Sequence, residues 1–389
     1  MYFNFSLFCI AEMNISSSTG GNVTLSCTLA SRNIATKLGL TVAYAVVFII
    51  ALFGNCAIIL IAKTKRRIRK VAFNFFIISM ATADIMDALI AVPLTVIYFH
   101  NGPLWFGGLL GDISCKILHF LNNLSLAASV FTLAVISVDR YLAIVHVLRE
   151  PLSRRKVKLA VVSLWLLASL LMSTYLIKYK TLLKEDGRHH CHGVWVMDDG
   201  AKNFRMYQYE TVTRFIFMYV IPLFLMAALY SLIIRVLKRR QAFGENMSQI
   251  RIQHQNVTVI KMLVTVVLLF AFCWLPTHVV SLTTAFSYEK ILCWPISLTL
   301  TLFVPSHANS AINPCIYLIF NENFRKGLKD LLIRCRKTGN RRIPTKKIKQ
   351  WPGSSTLERD PNRGGIKGYF RHLSKEKTSD SDDVYDTRL

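Results

Sequence analysis

Four residues with hard oxygen or amide groups stand inside long hydrophobic runs: Asp84, Ser129, Asn309 and Asn313. Carboxylate, hydroxyl and amide oxygens suit a small hard cation, of which Na+ is the natural choice here. A charge at that depth must turn toward protein partners rather than lipid. Hydrogen bonding between helices would satisfy the same groups without any ion. A second chemistry-bearing cluster, Asp139-Arg140-Tyr141, closes the longest apolar run, which begins near Cys115. An Asp-Arg pair at the mouth of a hydrophobic helix is either a solvated helix end or a latch. As a latch, its arginine is held in one state and released in another.

The elements that must position these groups are apolar helices. Seven runs, at about 38–62, 71–99, 113–146, 157–178, 209–237, 257–286 and 294–320, each reach the roughly 20 residues that a helix needs to cross a bilayer. The chain has 389 residues, is 53% hydrophobic and carries a formal charge of +25. In a soluble protein that charge would point to nucleic acid. Here Lys63-Thr-Lys-Arg-Arg-Ile-Arg-Lys70, the group Arg149 to Lys158 and the group Lys238 to Arg251 fall in alternate loops, whereas 101–110 holds no Lys or Arg. The positive-inside rule places the N-terminus outside and the C-terminus inside, so nucleic acid is not a partner.

Residues 1–36 form a polar extracellular tail, with Asn4, Asn14 and Asn22 in glycosylation triplets. Its first residues are apolar without a basic leader, which suggests a tail rather than a cleaved signal peptide. The bundle occupies 37–320, and 321–336 reads as an amphipathic helix on the inner leaflet. Cys335 at its end is a candidate for palmitoylation. From 337 to 389 the chain is Lys/Arg/Gly/Pro/Ser-rich, a composition typical of a disordered cytoplasmic tail. Its ending, Thr387-Arg388-Leu389, fits strand addition to a PDZ groove.

Prolines interrupt four runs, at Pro93, Pro222, Pro276 and Pro314, and each should bend its helix. Two of these kinks carry aromatic neighbours, in Phe270-Ala-Phe-Cys273-Trp274-Leu-Pro276 and Asn313-Pro314-Cys-Ile-Tyr317. A bundle with two packings needs such hinges. These segments, with Gly54-Asn55, Ala83-Asp84, Trp105-Phe106-Gly107, Asp139-Arg140-Tyr141, Trp165, Tyr230 and Phe324-Arg325, occur in order, about one set per helix. In this the chain resembles the rhodopsin-like (class A) G-protein-coupled receptors. The resemblance runs from Leu38 to Cys335.

That resemblance implies an all-α seven-helix membrane bundle with a short amphipathic helix after the seventh span. It also implies a disulfide between Cys115 and Cys191. Arg140, paired with Asp139 at rest, should swing toward Tyr230 and Tyr317 as the sixth helix moves outward. Leu148 should enter the G protein, and arrestin should bind the same face. Phe270 and Trp274, with Val130, Pro222 and Pro276, should transmit ligand contact. Asp84, Ser129, Asn309 and Asn313 should form an allosteric Na+ site, with no other cofactor. Val147 and Asn256 depart from the family pattern, and Asn256 leaves Arg140 without an acidic partner on the sixth helix.

The ligand is narrowed by what is missing. His307 stands where a retinal pigment has its Schiff-base lysine, and Asn122 stands where amine receptors place an aspartate. Around Cys191, residues 181–207 read as a β-hairpin turning at Asp199-Gly200. With the sixth and seventh helices, this is most similar to receptors for peptides such as neuropeptide Y, RFamide, galanin or tachykinins. Tyr98, His119, Asn122, Asn123, Thr277, His278, Phe303 and His307 are the expected pocket lining. Asp198, Asp199 and Glu210 would pair with a basic peptide residue, or are simply solvated. A second bridge, Cys27 to Cys293, is a further expectation. A small lipid or amine-like ligand is the rival within the family. Outside it, a transporter or channel would show inverted repeats, which this sequence lacks. The cluster His189-His190-Cys191-His192 offers metal ligands, but Cys191 is assigned to the disulfide, so a solvated loop is expected and not an enzyme.

Overall fold

The computed structural model describes residues 34–65, 73–146, 152–196, 199–241, 247–287, 294 and 296–339. Its long helices are α1 (Ile34–Thr64), α2 (Asn74–Asn101), α3 (Gly108–Val145), α4 (Arg154–Lys178), α5 (Gly200–Arg240), α6 (Met247–Phe286) and α7 (Ile296–Phe320), followed by α8 (Glu322–Gly339). The chain divides into two units, Met1–Leu332 and Ile333–Leu389, and α1 to α7 all belong to the first. The expected positions Asn4, Asn14, Asn22, Cys27, Leu148, Asp198, Cys293 and the Thr387–Leu389 ending lie outside the described residues, as do the side chains of Asn256 and Cys335.

Six helices, α1 to α6, are long and apolar enough to cross a membrane. Helix α7 is not in that set, because Ser306, His307, Asn309, Ser310 and Asn313 interrupt its apolar sequence. All five are buried, so the polar residues face protein rather than lipid. Around the bundle, α1 packs on α2 and α7, α3 on α2, α4 and α5, and α6 on α7. The main core joins Phe76, Met80, Leu133, Ile136, Met226, Phe270 and Phe324, contributed by α2, α3, α5, α6 and α8.

Two of the prolines act through a wider turn than the sequence suggests. A π-helical segment, Asp87–Ala91, precedes Pro93, and a second, Ile216–Val220, precedes Pro222. The Val92 N–H bonds to Asp87 O and the Ile221 N–H to Ile216 O, each spanning five residues. Pro lacks an N–H and its ring crowds the carbonyl four residues back. One widened turn relieves that crowding without breaking the helix. Each π-turn also rotates every residue before it relative to those after it.

Three short strands join the bundle at one end: β1 (Leu104–Trp105), β2 (Tyr179–Leu183) and β3 (His189–Gly193), in the antiparallel order β1-β3-β2. The expected hairpin is therefore present, but its turn is not at Asp199-Gly200. It falls at the earlier Asp-Gly pair, where Gly187 N–H bonds to Lys184 O at 2.9 Å and Gly187 adopts φ 72°. Asp186 fixes this turn by accepting from the Arg188 N–H at 2.9 Å. Asp199 instead accepts from the Lys202 N–H at 2.8 Å and caps α5, so that helix begins at Gly200 rather than near 209. Both Asp-Gly pairs are competent turns locally. The register is chosen by pairing with β1, where the Cys191 N–H donates to Pro103 O at 2.9 Å.

Candidate functional site

At the end of the bundle opposite the sheet, Arg140 is held by its neighbour. Its Nε donates to Asp139 Oδ2 at 3.0 Å, a second guanidinium nitrogen contacts the same oxygen, and the plane lies 4.4 Å from the Phe73 ring centroid. The two tyrosines that the family resemblance assigns to Arg140 are occupied elsewhere. Tyr230 accepts a hydrogen bond from Ser137 Oγ at 2.9 Å, and Tyr317 donates to Met80 Sδ at 3.1 Å while its ring lies 6.4 Å from Phe324. Tyr141 packs edge-on against His146. This geometry has the arginine latched by a carboxylate and an aromatic face, with its alternative partners kept in other contacts.

Deeper in the bundle, Asp84 is buried and accepts a hydrogen bond from Asn313 Nδ2 at 2.9 Å. Asn309 is buried. The buried Ser129 hydroxyl has no hydrogen-bond partner among the described residues. Close by, Asn55 donates to Ala51 O and Ser310 O at 2.8 and 2.9 Å, tying α1 to α7. Trp165 and Thr132 meet on Ser79 Oγ at 2.9 and 3.1 Å, tying α4, α2 and α3 together.

Phe270 and Trp274 form an aromatic ladder on α6. Their centroids are 6.1 Å apart, Tyr219 lies 6.1 Å from Phe270, and His278 lies 4.7 Å from Tyr219. Tyr219, in the π-turn before Pro222, donates to Ala271 O at 2.8 Å, so the widened turn of α5 is bonded directly to α6. Val130 is buried in the same core. The Trp274 indole N–H and the Thr277 hydroxyl are buried without partners among the described residues.

At the sheet end, the disulfide Cys115–Cys191 fastens β3 to α3. Beside it, Tyr98 Oη lies 2.9 Å from His119 Nε2 and donates to Cys191 O at 3.3 Å, while the His119 ring stacks on Tyr179 at 3.7 Å. These contacts make Tyr98 and His119 the underside of the hairpin. Asn123 donates to His119 O at 2.8 Å, and Asn122 is buried one residue away. His307 bridges Thr95 Oγ1 at 3.2 Å and Asp87 Oδ1 at 3.3 Å. Phe303 packs into a separate cluster with Leu40, Phe99, Val280 and Leu300. His192 on β3 is also buried, and burial holds its imidazole down at a pKa of about 3.

Glu210 departs from both sequence readings. It is neither a solvated charge nor an open partner for a basic ligand group. Its carboxylate accepts from Tyr175 Oη at 2.8 Å and Trp195 Nε1 at 3.0 Å, and it forms an ion pair with Lys178. Lys178 and Glu210 are 32 residues apart, and no local pattern pairs an acid and a base at that distance. The available signal is the lysine itself, a charge at the end of an apolar run that needs a counter-charge.

With this arrangement in view, the comparisons define a class. A model of the 7 transmembrane receptor (rhodopsin family) matches residues 54–317, and the chain belongs to that family. Its relatives include a Danio rerio protein, "Galanin receptor 2a", 30% identical over 74% of this chain and 76% of its own length. The Homo sapiens "Substance-K receptor" is 31% identical over 84% of this chain and 80% of its own. A "QRFP-like peptide receptor" of Branchiostoma floridae is 28% identical over 75% of this chain and 77% of its own.

Proposed function

We infer that this receptor sits in the plasma membrane with its N-terminus outside, is activated by a peptide, and passes the signal to a heterotrimeric G protein. The observation that carries the coupling half is the Asp139–Arg140 latch, backed by Phe73 while Tyr230 and Tyr317 are engaged elsewhere. Moving α6 away from α3 would open the space beside Arg140 into which Tyr230 and Tyr317 could turn from their present partners, and a cytosolic partner could then enter there. Leu148 and arrestin binding belong to the same face in this reading. The peptide half draws on the relatives' names and on the hairpin stapled beside α3.

The remaining assignments follow the same orientation. Residues 1–36 are the outer glycosylated tail, 37–320 the bundle, 321–336 a helix on the inner leaflet, and 337–389 a cytoplasmic tail with lipidation at Cys335 and a PDZ ending. A buried carboxylate, a serine hydroxyl without a partner among the described residues and two buried amides are hard-oxygen groups that fit Na+. Asp84, Ser129, Asn309 and Asn313 would hold it. Held there, the ion would supply a counter-charge to Asp84, which here accepts a neutral hydrogen bond from Asn313, and would so favour the resting packing.

The test is a pooled neuropeptide screen on cells expressing the receptor, run beside lipid and amine pools, with nucleotide exchange on purified G-protein heterotrimers as the readout. Exchange driven by peptide pools is the expected result. Exchange driven only by lipids or amines refutes the peptide half, and none with any addition refutes the coupling.

A further inference from the structure

At the sheet end of the bundle, the charges joining α4, β3 and α5 do not balance. Lys178 is 6% exposed, and its Nζ lies 5.5 to 5.6 Å from the Tyr175, Tyr179 and Trp195 ring centroids. Glu210 neutralises it, and the same carboxylate takes the Tyr175 and Trp195 donors, so its lone pairs are largely used. Arg214 stands four residues further along α5, on the same helical face as Glu210. It is half-buried, and among the described residues its one hydrogen bond is to Tyr175 Oη at 3.1 Å. Two cations thus share one carboxylate, most of whose acceptor sites are already taken.

Among the described residues, the neighbours of Arg214 offer no second anion. Tyr175 presents a neutral phenol, and Phe215, the next residue on α5, packs on the imidazole of His278 at 5.4 Å. A guanidinium carries five N–H donors in a planar fork that matches a carboxylate. A half-buried arginine with one hydrogen bond and no dedicated counter-ion is costly, unless something else brings the negative charge.

We propose that Arg214 is an anion-recognition residue, and that the activating ligand presents it with a carboxylate. The carboxylate is either the terminal one of the peptide or an Asp or Glu side chain. This reverses the polarity expected from Asp198, Asp199 and Glu210: on this side of the bundle the receptor offers a cation. The inference rests on the peptide-receptor reading and sharpens it by naming the group recognised.

Purified full-length receptor in nanodiscs tests it without a G protein, so its outcome is separable from that of the coupling assay. The probes are N-acetyl-phenylalanine and N-acetyl-glutamic acid α-amide, which carry a terminal and a side-chain carboxylate. N-acetyl-phenylalanine amide and N-acetyl-glutamine amide are their neutral partners. Dissociation constants come from ligand-observed NMR. At least one acid should bind about tenfold tighter than its amide, as a bidentate charge-assisted pair allows, and the acid that does so identifies the source. R214Q should abolish the preference, R214K should keep part of it, and E210Q, which raises the local positive charge, should widen it. A purely structural arginine would not respond in opposite directions to R214Q and E210Q. Acid and amide binding alike to wild type, neither binding, or a preference that survives R214Q overturns the proposal. If R214Q does not fold, an unchanged ratio in E210Q overturns it equally.

Discussion

Replacing Asp139 by Asn should raise agonist-free signalling, and the structure sets the size. Arg140 gives Asp139 one hydrogen bond of 3.0 Å and a second close contact, and the two side chains are 21% and 8% exposed. A hydrogen bond to a charged group is worth about 1.5–3 kcal/mol, and partial exposure of the arginine argues for the lower end. Asparagine keeps a neutral acceptor at the same place, and the Phe73 ring 4.4 Å from the guanidinium still contributes. The net loss is therefore about 1.4 kcal/mol, or tenfold in the balance between packings. If the resting packing is favoured by about a hundredfold, the active fraction rises to about one in ten. Nucleotide exchange on a purified heterotrimer, measured without ligand and normalised to folded receptor, reads this directly. Basal exchange within about twofold of wild type would refute the latch. So would a Phe73→Leu variant that reproduced the whole effect, since the carboxylate would then be irrelevant.

Cys115→Ser should cost stability through the 76-residue separation that the disulfide bridges. Loop-closure entropy sets an upper value of about 4.5 kcal/mol, and thermal unfolding of the purified receptor should show the variant well below wild type. Gly54→Ala should destabilise by about 1–3 kcal/mol, because its Cβ would stand 2.7 Å from Pro314 Cγ and push α1 from α7; an unchanged melting temperature would contradict the packing described. His192 should make the receptor acid-sensitive. Its folded pKa of about 3 lies below the unfolded value near 6.5, so the unfolded chain binds the extra proton. Stability is complete above pH 6.5 and falls as pH drops from there toward 3, by at most about 1.4 kcal/mol per pH unit. His192→Phe should flatten that slope between pH 7 and 5, and an identical slope would assign the acid sensitivity elsewhere.

Much of the bundle was legible because its signals are local. A run of about 20 apolar residues has few alternatives in a membrane, and Asp139 and Arg140 meet because they are adjacent in sequence. What stayed hidden depends on choices among local equals. Asp186-Gly187 and Asp199-Gly200 are both good turns, and only the pairing of β3 with β1 makes the first the hairpin and the second a helix cap. Pro93 and Pro222 announce a disturbance but not its form, which neighbouring helices resolve as π-turns.

From the residues alone come the number of spans, the inward turn of Asp84, Asn309 and Asn313, and the motif order that marks the family, since each follows from the cost of placing polar groups in lipid. Tertiary structure alone decided that Glu210 is consumed by Lys178, Tyr175 and Trp195, that Arg214 is left with a charge to share, and that Asn313 donates to Asp84. Charge pairing across 32 residues depends on which helix ends the fold brings together, and that is settled by packing rather than by any spacing along the chain.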